Sequence, residues 1–107
     1  MAIDAVLEQK LDALDTLESQ FYEGGALGSA ALLPTDPNKQ AQRRRQVRSS
    51  HAGRSQAVAR RYRDKLAEWY GKDAAAKVVH AEAFEICEYG RRPEKKELAR
   101  LFPFMGE

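Results

Sequence analysis

One cysteine, no His-Pro dipeptide, no apolar run near membrane-spanning length and no leader-like start set the outer limits of this 107-residue chain. Cys87 has no partner for an internal disulfide and no second thiolate for a cysteine-based metal motif, and is expected to serve as a small buried apolar side chain. Neither His51, His80 nor Cys87 stands three or four residues from another of them, the spacing that aims two helical ligands at one ion. The apolar runs fall far short of the ~20 residues of a transmembrane helix. Met1-Ala2-Ile3-Asp4 has neither the basic nor the apolar region of a signal peptide, so the expectation is no membrane span and a cytoplasmic setting.

Self-contained catalytic motifs are also missing. Gly24-Gly25-Ala26-Leu27-Gly28 is followed by no Gly-Lys-Ser/Thr and lacks dinucleotide-turn spacing, so it reads as a flexible loop. Ser49, Ser50 and Ser55 lie near His51, but no strained turn presents a hydroxyl as a nucleophile. Glu82, Glu85 and Glu88 crowd one short segment, whereas acid/base chemistry needs carboxylates converging across a cleft; a solvated face is expected.

What the chain does have is charge segregation. Residues 1–23 carry six acids against Lys10, and residues 39–65 carry ten Lys and Arg against Asp64. In the first stretch Ile3, Leu7, Leu11, Leu14 and Phe21 recur at helical steps, with Val6 and Leu17 widening the stripe, which predicts a helix over about 3–23. Glycines and the absence of a period predict a loop over 24–35. Asp36-Pro37 then offers an N-cap acceptor and a proline at the first helical position. The stripe Val47, His51, Ser55, Val58, Tyr62, Leu66 and Trp69 extends this second helix to about residue 70, with Gly53 expected to mark a kink or a close contact. Residues 72–89 suit helix around Asp73–Lys77 or a strand with Val78, His80, Glu82, Phe84 and Ile86 on one face. Gly90 and Pro93 bracket a turn before a short helix over about 93–102.

Arg43, Arg44, Arg48, Arg54 and Arg61 are the candidate basic face. Such a series is the footprint of a phosphate-binding surface, and it is equally what a helix exposes when it packs by one stripe or pairs with an acidic neighbour. The composition by itself therefore leaves open a small basic helical module that binds nucleic acid or an acidic partner, or a structural helical subunit.

Two stretches favour another reading. Lys10-Leu11-Asp12-Ala13-Leu14 with Ser19-Gln20-Phe21, and later Ala81-Glu82-Ala83-Phe84, occur in the order in which similar sequences stand near the C-terminus of PIG-L/LmbE-like zinc-dependent N-deacetylases. Glu85 to Pro93 and Leu98 to Phe104 also resemble tails of some bacterial members, so the resemblance covers most of residues 3–104. It implies a mainly α segment with one short strand over about 78–86, the C-terminal fragment of an α/β Rossmann-like deacetylase. The activity it implies is hydrolysis of an N-acetyl amide of N-acetylglucosaminyl type, with zinc polarising the carbonyl and activating a water. The family's metal residues lie in a His-Pro-Asp-Asp-type motif and a later histidine pair that this chain lacks, so zinc and the catalytic groups are expected from a missing N-terminal part or a partner subunit. On this reading Ser19, Gln20, His80, Glu82 and Phe84 are pocket-wall candidates, although His80 stands where relatives commonly have an aromatic residue. Nucleic acid is then disfavoured as a partner, and exposed stripes would favour association, including between copies of the chain.

Overall fold

A computed structural model describes residues 1–103 and shows a mainly helical chain with almost no strand. Phe104, at the end of the resemblance, lies outside the described residues. The helices are α1 (Leu7–Asp15), α2 (Glu18–Phe21), α3 (Pro37–Arg61), α4 (Arg63–Tyr70), α5 (Lys72–Lys77) and α6 (Lys95–Leu101). The chain divides into two compact units, one of Ala5–Arg54 and the other of Met1–Asp4 with Ser55–Glu107.

In the unit of Ala5–Arg54, the single helix expected over 3–23 is broken. Thr16 is the cause: its hydroxyl donates to the Ala13 carbonyl at 2.7 Å, while the Leu17 N–H bonds Leu14 at 3.0 Å instead of continuing the four-residue ladder. The chain restarts as α2, which leaves Val6 and Leu17 exposed although the stripe assigned them inward. Leu7, Leu11, Phe21, Tyr22, Leu33 and Val47 are the buried apolar residues of this unit.

The loop over 24–35 is tied by two 3-10 turns, Gly25–Leu27 and Ala30–Leu32. Gly28 is required by its neighbours, because a Cβ there would lie 1.7 Å from the Glu23 carbonyl oxygen. Asp36 caps α3 as its sequence implies, its side chain accepting the Lys39 N–H at 2.9 Å. The helix runs unbroken through Gly53, where an added Cβ would meet nothing within 4 Å, so the close contact expected there is not present.

In the other unit, the expected second helix is interrupted at Tyr62, whose backbone (φ −110°, ψ 29°) leaves helical geometry before α4 begins. Arg63 there donates to the carbonyls of Ala75 and Val78, satisfying acceptors at the end of α5. Gly71 joins α4 to α5 at φ 81°, a left-handed conformation that favours glycine. Ala59, Leu66, Ala75, Val78 and Ala81 form the core, and its small side chains let the segments approach closely.

The strand expected over 78–86 is replaced by one antiparallel bridge, Ala2 to Ala81. Two backbone bonds flank it, from Ile3 N–H to His80 at 3.0 Å and from Glu82 N–H to Met1 at 2.9 Å. The Met1 ammonium also donates to the Glu82 carbonyl at 2.8 Å, while toward Ile3 the pairing stops because His80 N–H bonds the Asp4 carboxylate at 2.9 Å; Ala81 N–H bonds the Ser55 carbonyl at 3.1 Å. From Ala83 to Arg92 the chain is exposed, and Cys87 is exposed, not buried as expected. No helix among the described residues is long and apolar enough to cross a membrane.

Two glycine substitutions test this packing in opposite directions. Gly28→Ala should lower stability by about 2 kcal/mol, since the loop must open to admit the methyl group. Gly53→Ala should raise it by ~0.5–1 kcal/mol. Chemical denaturation followed by circular dichroism reads both.

Candidate functional site: an arginine cluster and a polar cavity on α3

The charge segregation seen in the sequence becomes contact within Ala5–Arg54. Arg48 donates to Asp15 at 2.6 Å and to Glu8 at 2.8 Å, and lies 2.9 Å from Asp12, so one guanidinium meets three carboxylates of α1. Those acids sit one helical turn apart or nearly so, which gives α1 a continuous negative edge. Burial opposes the Arg48 charge, but the bonds from Asp12 and Glu8 and the charge of Asp15 outweigh it and raise the pKa above the ordinary arginine value. Arg44 pairs with Glu18 and lies over the Tyr22 ring at 4.4 Å from its centroid.

Tyr22 is fully buried, and its hydroxyl donates to Asp15. Burial and that bond raise its pKa. Arg43 donates through Nε and Nη2 to the Tyr22 carbonyl at 3.3 and 3.0 Å. Of the basic-face candidates, then, Arg43, Arg44 and Arg48 bind α1, α2 and the residue after α2. Arg54 and Arg61 are exposed, and Arg61 lies 5.5 Å from the Tyr62 ring centroid.

Beside this cluster residues of α2 and α3 line an open cavity of about 350 Å³. Phe21 and Val47 give it an apolar base, and His51 lies against Phe21 with ring centroids 4.4 Å apart. The other lining residues are polar: Gln20, Gln46, Ser50, Arg43 and Arg54. Burial, then the charges of Arg54 and of Lys10, push the His51 pKa below its ordinary value of 6.5.

Of the pocket-wall candidates, Gln20 lines this cavity and the neighbouring Ser19 is exposed. His80, Glu82 and Phe84 belong to the other unit. There His80 Nδ1 lies 2.9 Å from the Asp4 carboxylate and its Nε2 lies 3.1 Å from the Gln56 amide nitrogen, so the imidazole is held on both sides. Glu82 is half-buried, while Phe84 is 73% exposed. That Gln20, Arg43 and His51 share a cavity is not legible in any spacing; the turn after Thr16, which is invisible to periodicity, redirects the chain into α2.

Among the described residues no three His, Cys, Asp or Glu side chains are grouped so as to hold a metal ion. Comparison with family models, with curated proteins and with solved structures finds no match.

The lowered His51 pKa fixes the sign of a pH effect. The neutral imidazole is favoured in the folded state, so its contribution is present above about pH 6.5, the ordinary value, and is lost as pH falls through the lower folded value. Urea midpoints measured from pH 7.5 downward should therefore fall more steeply in the parent than in His51→Gln.

Proposed function

We propose that this chain is the C-terminal, non-catalytic part of a PIG-L/LmbE-like N-acetyl amide hydrolase, acting in the cytoplasm on N-acetylglucosaminyl-type substrates. The observation that carries the reading is the Ala81-Glu82-Ala83-Phe84 segment. Ala81 is anchored in a small-residue core, and after Glu82 the backbone over 83–94 is neither helical nor bridged, with Phe84, Ile86 and Tyr89 exposed. An uncovered segment with apolar side chains is suited to adding to a neighbouring sheet edge. The order of the Ser19-Gln20-Phe21 and Ala81–Phe84 motifs supports the same assignment.

On this reading the α/β Rossmann-like sheet and the metal-binding groups are supplied from outside these 107 residues, by a preceding segment or a partner subunit. The chain contributes pocket wall and sheet support. Arg44 and Arg48, already joined to carboxylates, hold the helices together, which favours this reading over nucleic-acid binding.

The test is to fuse the N-terminal part of a complete family member ahead of Met1, or to co-express it. A zinc-containing complex that releases acetate from an N-acetylglucosaminyl compound is expected, with Glu82→Ala lowering turnover more than Glu88→Ala. No complex, or equal effects of the two substitutions, would contradict the assignment.

A further inference from the structure

We infer that the cavity between α2 and α3 binds a small phosphorylated molecule, with Arg43 and Arg54 holding the phosphoryl oxyanion and the Gln20, Gln46 and Ser50 side chains meeting polar groups of the remainder. The argument rests on where positive charge is left over. Arg44 and Arg48 are neutralised by carboxylates of α1 and α2. Arg43 instead bonds the Tyr22 carbonyl, which satisfies donors without cancelling charge, and its Nη1 takes no part in those two bonds.

Arg54 makes no ion pair among the described residues, and no carboxylate lines the cavity. Arg43 and Arg54 therefore both line one concavity whose other polar lining residues are Gln20, Gln46, Ser50 and His51. That donor set is selective for a multiply charged oxyanion over a neutral ligand or a cation.

Size and shape agree with this class. At about 350 Å³ the cavity is at the lower end of small-molecule sites, which run from ~300 to 1,000 Å³. Phe21 and Val47 are its apolar lining residues, and the polar side chains around them fix the orientation of a bound molecule. Burial first, and then the cations Arg54 on α3 and Lys10 on α1, disfavour protonation of His51 beside this concavity. A bound anion would reverse the influence of the cations. The inference does not depend on the deacetylase reading, since the cavity is built wholly from residues within Ala5–Arg54.

The test is an NMR titration of the full chain, following the His51 imidazole, with its signals assigned by comparison with His51→Gln. Inorganic phosphate, glucose 6-phosphate and glucose are added separately at constant ionic strength. Saturable shifts with a phosphate-bearing probe are expected, together with an upward move of the His51 titration midpoint and no response to glucose. Tighter binding of glucose 6-phosphate than of inorganic phosphate would support the phosphorylated molecule; the reverse order would overturn that identity in favour of the free anion.

Arg54→Gln should weaken binding about tenfold. Arg45→Gln, an exposed position on the same helix outside the cavity, should leave it unchanged. Absence of any saturable shift, or equal weakening by Arg45→Gln and Arg54→Gln, would overturn the site.

Discussion

Arg48 is the residue on which the Ala5–Arg54 unit turns. Its guanidinium collects Glu8, Asp12 and Asp15, so a helix rich in arginine and a helix rich in acid are drawn together at one point rather than along a diffuse charged surface. Asp15 also accepts the Tyr22 hydroxyl, which links the ion cluster to a buried aromatic side chain. With the Arg48 side chain 22% exposed, the cluster is screened less than a rim pair and more than a core one. Arg44 with Glu18 joins α2 to α3 in the same manner, and Phe21 of α2 lies against His51 of α3 beside the cavity.

The second unit is organised differently. Its core is made of alanine, valine and leucine, and backbone and polar contacts close it: Arg63 on the end of α5, Asp4 on His80, and Ala2 against Ala81. Small side chains limit how much apolar area this core can bury, so these contacts matter to its definition. Residues beyond Glu82 carry Phe84, Ile86 and Tyr89 into solvent, an exposed apolar series that a further element or partner would cover.

Where local chemistry dominates, the sequence was readable. Asp36-Pro37 caps and starts α3, Gly71 ends α4, and the division of acids from arginines announced ion pairing between the first helical region and α3. Legibility ended where a side chain competes with the backbone ladder: the Thr16 hydroxyl breaks a stripe that looked continuous, and the Asp4 carboxylate takes donors that a strand at His80 would have used. Tyr62 interrupts the long helix without altering its apolar period, and the cavity unites Gln20 with His51 through packing that no spacing rule encodes. Cys87 was misjudged because residue type suggests burial only where some element lies over it.

The most direct measurement of the Arg48 account is a double-mutant cycle of Arg48→Met and Asp15→Asn, read through amide hydrogen exchange at Leu11 and Leu14 on α1. Asparagine retains an oxygen for the Tyr22 hydroxyl, so the cycle isolates the ion pair. The account predicts a coupling of about 1 kcal/mol at low ionic strength that shrinks in about 1 M salt. Zero coupling, with the α1 amides exchanging as in the parent in all three variants, would contradict it.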